Sequence, residues 1–183
     1  MIIAIAGQSS SDSNAIVAAL AAERARSGRR VLVIDVGQPD PDRMGQPVPA
    51  RAVSARCLQR ELEQLLPRYQ DIVIDAAGRD GADTRPALIA ANLVVVPLHV
   101  DEVDIGKQYE LVARLNSARM FNPGLHVLFA LVCGDAEPTA GELAAARAYA
   151  AEVMSATLCK TVIHARSASS SGMADLYHDV FEQ

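Results

Sequence analysis

The sequence predicts an α/β protein in which a mostly parallel sheet is flanked by helices on both faces. Short apolar runs recur along the chain, and a stretch with helical spacing of apolar residues follows each of them. Strands that are buried on both faces form continuous apolar runs, and strands that alternate with helices form parallel sheets. The 183 residues suit a single domain, so we predict one domain over residues 1–183.

Six strands are predicted from runs rich in aliphatic and β-branched residues. They cover residues 2–6, 31–35, 71–75, 93–98, 126–132 and 160–164. Six helices are predicted over residues 14–26, 54–66, 84–91, 103–120, 138–156 and 172–181. Gly28 ends the first helix, Pro67 stops the second, and the turn at 122–124 follows the fourth. Residues 36–50 are rich in proline and glycine and are predicted to be a loop.

Composition excludes several classes of protein. The net charge of −5 argues against a free-standing nucleic-acid binder, so any DNA contact is expected to be local or indirect. No apolar run reaches about 18 residues, so no membrane span is predicted, and the expected location is the cytoplasm. Three cysteines lie far apart, which favours neither a disulfide framework nor a metal site, and Cys133 is predicted to be a small buried side chain. The basic run at 24–30 is interpreted as a solvated helix end.

The segment 7–16, GQSSSDSNAI, lies between the first strand and the first helix, where a phosphate-binding loop belongs. A working loop uses glycines, whose backbone N–H groups approach phosphate oxygens closely, and a lysine that contacts the β- and γ-phosphates. This segment has one glycine and no lysine. The candidate cofactor-binding positions are those of a degenerate loop: Gly7, Gln8, Ser9, Ser10, Ser11, Asp12, Ser13, Asn14 and Ala15.

Acidic residues end the second and third predicted strands, at Asp35 and Asp75. Ligands of open α/β sheets bind beyond the carboxyl ends of the strands, so these acids and Gly7 should meet in one crevice. Two interpretations stay open for the acids. They could hold a metal ion if a nucleotide binds, or they could simply accept hydrogen bonds from loop N–H groups. No residue is assigned a catalytic role, and no other metal site is predicted.

The runs IIAIAGQ, RRVLVID, DIVIDAAG and NLVVVPL, with the closing TVIHARSASSSGMADLYHDVFE, occur in the order and spacing of a known family. In these runs the chain resembles the ParA/MinD family of deviant Walker ATPases, and its length is similar to that of the small plasmid-partition type. Members of the family partition plasmids or position division sites and polar structures, and they dimerise around ATP. The resemblance implies a P-loop NTPase-like fold with the deviant Walker architecture.

The resemblance also implies which site residues differ. Ser9 stands where the family has the lysine that crosses the dimer, and Asn14 stands where it has the lysine that binds phosphate. Ser10, Ser11 and Ser13 replace the family's loop glycines. Ala15 replaces the magnesium-binding threonine. Asp75 matches the Walker B acid, and Asp35 matches the first acid after strand two. The family's catalytic aspartate a little further on corresponds to Gly37.

These differences predict a family-like protein that has lost ATP hydrolysis. Ser11, Asp12 and Ser13 are good N-cap residues, so the loop is expected to cap its own helix. We expect no tightly bound cofactor and at most weak binding of ATP with Mg²⁺. The expected role is that of a binding or scaffold partner of proteins in DNA partition, conjugative transfer or polar positioning. A homodimer is compatible with this role. Two alternatives are a weak ATPase and an antagonist that forms mixed dimers with an intact relative.

Overall fold

A computed structural model describes residues 1–7, 10–38, 47–78, 81–99, 105–134, 136–164 and 170–181, with backbone alone at 10–12, 81, 105–108 and 170–171. The strands in this part of the chain are β1 (Ile2–Ile5), β2 (Val31–Val36), β3 (Ala50–Val53), β4 (Asp71–Asp75), β5 (Leu93–His99), β6 (His126–Cys133) and β7 (Ala156–His164). They form one sheet in the order β3-β2-β4-β1-β5-β6-β7, and every neighbouring pair is parallel.

Within the described ranges, six α-helices cover the two faces of this sheet. They are α1 (Ser10–Arg26), α2 (Leu58–Leu65), α3 (Gly81–Ala90), α4 (Ile105–Phe121), α5 (Ala140–Ala151) and α6 (Ser170–Phe181), and a 3₁₀ turn over Ala55–Cys57 precedes α2. The predicted α/β class, with a parallel sheet and helices on both faces, is confirmed.

Alternate strand residues belong to two separate apolar cores because successive side chains of a strand point to opposite faces. In β1, Ile2 packs in one core and Ile3 in the other. The core that contains Ile3 is covered by α1 and α6, and the core that contains Ile2 is covered by α2, α3, α4 and α5. All four residues of β1 are buried, which explains why the strand is a continuous apolar run.

Several element predictions were wrong in detail. Residues 51–53, between the predicted loop 36–50 and the predicted helix 54–66, were assigned to no element; Ala50–Val53 form β3, a short edge strand whose residues pair only with β2, so it needs no apolar run. Strand β7 begins at Ala156 rather than at 160, and α5 ends at Ala151 rather than at 156. Helix α1 begins at Ser10, four residues before the predicted start.

The interpretation of the basic run at 24–30 was also wrong in part, because two of its arginines bind a buried carboxylate. Asp71, at the start of β4, is 1% exposed. Arg24 Nε donates a hydrogen bond to Asp71 Oδ2 at 2.9 Å, and Arg29 donates to both carboxylate oxygens. The α-ammonium of Met1 lies 3.4 Å from Asp71 Oδ1. Burial alone would raise the pKa of Asp71, but the hydrogen bonds and charges of these cations outweigh it and lower the pKa.

Candidate functional site at the carboxyl edge of the sheet

The two predicted strand-end acids lie side by side. Asp35 in β2 and Asp75 in β4 are register partners on neighbouring parallel strands, and Asp75 is also the partner of Ile5 in β1. Both acids are two residues beyond valines of the core beneath α1, so they lie on the face of the sheet that α1 covers. The structure therefore brings Asp35, Asp75 and the start of α1 together at one edge.

A hydrogen-bonded turn fixes Asp75 beside the end of β1. The backbone N–H of Ala77 donates to Asp75 Oδ1 at 3.2 Å. The N–H of Gly78 donates to the carbonyl oxygen of Gly7 at 2.9 Å, and Gly78 has a φ of 64°, a left-handed conformation that glycine adopts at little cost. Gly78 was not among the predicted site residues, although the glycine of the run DIVIDAAG was a signal for such a turn.

Both interpretations of the acids receive support from this geometry. The hydrogen bond from Ala77 to Asp75 is that of a structural strand-end acid. The adjacency of two carboxylates, with Asp35 4% exposed and Asp75 partly exposed, is the arrangement that a bound cation would stabilise, because like charges repel. Carboxylate oxygens are ligands that Mg²⁺ prefers, so Asp35 and Asp75 are the residues that could hold one.

The remaining predicted site residues lie in or before the first turns of α1. The helical segment begins at Ser10, so Ser11, Asp12 and Ser13 are helical residues and the prediction that they act as N-caps was wrong. Ser13 is fully buried. Gln8 and Ser9 lie outside the described residues, as do the side chains of Ser10, Ser11 and Asp12. Asn14 is partly exposed and Ala15 is exposed.

No basic side chain is present in the sequence near the start of α1. The first lysine or arginine of the chain is Arg24, and the only lysines are Lys107 and Lys160. A helix rises about 1.5 Å per residue, so Arg24 is about 21 Å along α1 from Ser10, where it binds Asp71. The cation nearest in sequence to the loop therefore serves the opposite edge of the sheet.

Gly37 follows β2 and has a φ of 90°, a backbone conformation that residues other than glycine rarely adopt. Its N–H donates to the carbonyl oxygen of Val53 in β3 at 2.9 Å, which fixes this conformation.

We expect Gly37→Ala to lower the free energy of unfolding by about 1–2 kcal/mol, and Gly37→Asp by somewhat less because aspartate tolerates the left-handed region better. Urea denaturation measures both. An alanine variant as stable as the parent would contradict this interpretation of Gly37.

Metal-ligating side chains do not cluster in the described part of the chain. Within residues 1–7, 10–38, 47–78, 81–99, 105–134, 136–164 and 170–181, no group of three or more histidines, cysteines, aspartates or glutamates could hold a metal ion. Cys133 is buried at the end of β6 and forms no disulfide bond within the described part of the chain. Among the same residues, no helix has the length and apolarity needed to cross a membrane.

Comparison with known proteins extends over the whole chain at the level of structure. Cobyrinic acid a,c-diamide synthase from Mycobacterium smegmatis, solved with an ATP analogue and magnesium, superposes with a TM-score of 0.73 at 18% identity, covering 100% of this chain and 96% of that one. A plasmid partition protein from Borrelia burgdorferi gives 0.67 at 12% identity, with 99% and 97% covered. The MinD cell division protein of Aquifex aeolicus gives 0.67 at 10% identity, with 100% and 97% covered.

No protein-family model and no curated protein sequence matches the chain. Identities of 10–18% establish a shared fold and leave activity open. The strand order, the helices on both faces and these superpositions agree, and the chain shares the fold of the plasmid partition protein and of MinD.

Proposed function

We propose that this protein is a ParA/MinD-like protein that does not hydrolyse ATP and acts as a binding or scaffold partner in DNA partition, conjugative transfer or polar positioning. Structural neighbours of the same fold include a plasmid partition protein and MinD. The observation that carries the proposal is that no lysine or arginine precedes Arg24, while the acids Asp35 and Asp75 remain at the carboxyl edge.

The electrostatic argument concerns the triphosphate. Its phosphate oxygens carry several negative charges, and charge-assisted hydrogen bonds from lysines normally offset them. At this edge the chain offers Asp35 and Asp75 and, in the first turns of α1, Asp12 in sequence. The backbone N–H groups at the start of α1 favour anions, but each such interaction contributes only about 0.3–1 kcal/mol. Because no lysine or arginine lies in the loop or in α1 before Arg24, this repulsion is offset less than in a loop that carries lysines, which disfavours a bound triphosphate.

Titration calorimetry with ATP and Mg²⁺ tests this proposal. We expect no saturable binding in the micromolar range, because the two lysine positions hold Ser9 and Asn14. The M. smegmatis diamide synthase, a protein that has been solved with a bound ATP analogue, is the positive control when it is titrated free of nucleotide. A stoichiometric isotherm with a micromolar dissociation constant would refute the proposal.

A second function, a weak Mg²⁺-nucleotide binder, is favoured by one observation: the two acids are neighbours in register at the expected metal position. In that case a partner protein could supply the missing cation. The same titration repeated with Asp75→Asn distinguishes the two functions. Weak binding that needs Mg²⁺ and is lost in the variant supports the second, and the absence of binding in both proteins supports the first. An antagonist that forms mixed dimers with an intact relative is tested by co-purification from the source cell.

The proposal also predicts how the chain self-associates. A two-fold contact places a surface patch against itself, so a dimer through the carboxyl edge would set Asp35 and Asp75 against their own copies. Like charges opposed in this way are unfavourable, and salt screens them. Any homodimer through this edge should therefore strengthen as salt is added and should not respond to ATP. Sedimentation velocity at low and high salt checks this, and an ATP-dependent dimer that weakens with salt would contradict it.

A further inference from the structure

A groove between α4 and α5 lies on the face of the sheet opposite α1. Its volume is about 440 Å³, within the range of ligand pockets. The lining residues are Tyr109, Val112, Ala113, Asn116, Tyr149 and Glu152. The four residues from α4 have the i, i+3, i+4, i+7 spacing of one helix face, so a single stripe of α4 forms one wall.

The floor of the groove is rigid and its polar groups are satisfied within the protein. Tyr149 is 1% exposed and packs edge-on against Phe129, with ring centroids 5.3 Å apart. Asn116 donates from Nδ2 to the carbonyl oxygen of Glu152 at 3.1 Å and accepts at Oδ1 from the N–H of Met154 at 3.0 Å. A bound group therefore does not need to satisfy Asn116, and it would contact mainly apolar and aromatic surface.

The charges around the groove favour a cation. Glu152 is exposed at the C-terminal end of α5, where helix carbonyl groups carry partial negative charge. Tyr109 is 72% exposed, so its ring is available to pack against the apolar stem of a long cationic side chain. The neighbouring arginines of α4 have partners within the protein, and Arg119 lies at the rim of the groove beside Met154. Arg114 pairs with Glu110 at 2.8 Å, and Arg119 donates to three backbone carbonyl oxygens.

Exposed apolar side chains flank the groove at the end of α4 and after α5. Met120 is 80% exposed and Met154 is 54% exposed. Aromatic residues and methionine are enriched in protein–protein contacts, whose apolar centre is surrounded by a polar rim. A free amine would use the groove alone, whereas a protein segment would cover these two side chains as well.

We propose that the α4–α5 groove docks a partner protein by receiving one of its arginine or lysine side chains, whose stem packs on Tyr109 and Val112 and whose cation faces Glu152. The arginine of the partner is the anchor, and apolar residues next to it cover Met120 and Met154. This groove is on the face of the sheet opposite the side on which Asp35 and Asp75 lie.

Two matched peptides test the proposal on the whole chain. One is the N-acetylated pentapeptide amide Ala-Leu-Arg-Leu-Ala, and the other has citrulline, which is neutral and nearly the same shape, in place of arginine. We expect the arginine peptide to shift the ¹H–¹⁵N signals of Tyr109, Asn116 and Glu152 saturably, with at least about threefold weaker binding of the citrulline peptide. Glu152→Gln should weaken the arginine peptide about three- to fivefold. Glu63→Gln, an exposed carboxylate of α2, is the matched control and should change nothing.

Three results would overturn the proposal. Equal binding of the two peptides, or no difference between the Glu152 and Glu63 variants, would show that no cation is recognised. Arginine ethyl ester that binds as tightly as the pentapeptide would identify a site for free amines rather than for a protein. Self-association of the chain that is abolished by Met120→Ser would show that a second copy occupies the groove.

Discussion

Replacing both Arg24 and Arg29 with methionine is expected to lower the free energy of unfolding by about 3–5 kcal/mol, because it leaves a buried carboxylate without its two side-chain cations. Asp71 is 1% exposed, and both arginines bind it directly. Methionine keeps much of the apolar stem of arginine, so the loss measures charge and hydrogen bonding more than packing. Urea denaturation followed by circular dichroism gives the difference.

The matched control replaces the carboxylate as well. Adding Asp71→Leu to the two arginine changes removes every buried charge of the cluster except the terminal ammonium, and most of the lost stability should return.

The pH dependence of stability follows from the lowered pKa of Asp71. The charged carboxylate stabilises the fold at pH above its ordinary range, and this contribution is lost as the pH falls through the lowered pKa of the folded state. A double variant as stable as the parent would contradict the assigned role of the cluster.

Rebuilding the phosphate-binding loop is expected to create a nucleotide response without turnover. The changes are Ser9→Lys, Ser10→Gly, Ser11→Gly, Ser13→Gly, Asn14→Lys and Ala15→Thr. Glycines within α1 cost roughly 0.5 kcal/mol each relative to serine, so the variant should be less stable when no nucleotide is added. ATP at 100 times its dissociation constant would add about 2.7 kcal/mol, which raises the melting temperature by about 5–10 °C for a chain of this size. Differential scanning fluorimetry with and without Mg²⁺-ATP checks this result.

The control for the rebuilt loop introduces the three glycines alone. It should lose the same helical stability and show no response to ATP, which separates loosening of α1 from the gain of two cations. Phosphate release should stay at background in the full variant, since Gly37 has no carboxylate to orient an attacking water. Turnover at a rate typical of ATPases would show that Gly37 was assigned the wrong role.

Most of the fold could be predicted because burial on both faces of a parallel sheet leaves a local signature in the sequence. Strand β1 is an unbroken apolar run, and β2 and β4 are apolar runs with aspartates only at or next to their ends, so the positions of all three follow directly from the sequence pattern. Strand β3 has no such signature. Its first two residues, Ala50 and Arg51, are exposed at the edge of the sheet, and pairing with β2 rather than composition makes it a strand.

Prediction of the site was limited because sequence patterns report on residues that are close together in the chain. The convergence of Asp35 and Asp75 follows from parallel strands alone, and the register confirms it. The predicted start of α1 was wrong because serine and aspartate generally favour N-cap positions over helix interiors, whereas in this chain the helix already begins at Ser10. The role of Asp71 was missed because its partners, Arg24 and Arg29, precede it by 47 and 42 residues. No short pattern links residues at that separation.

Arg24 also has a consequence for the order in which the chain folds. Besides Asp71, its guanidinium donates to the hydroxyl of Tyr177 at 3.2 Å and stacks over the ring of Phe181 at 4.2 Å, both in α6. Tyr177 follows Arg24 by 153 residues, so these contacts close one of the longest loops in the molecule. During synthesis, α1 and β4 leave the ribosome long before α6, and the Arg24 contacts can be completed only when the last helix arrives. Docking of α6 is therefore the step that joins α1 and β4 to a helix that is synthesised much later, and such long-range closure slows folding.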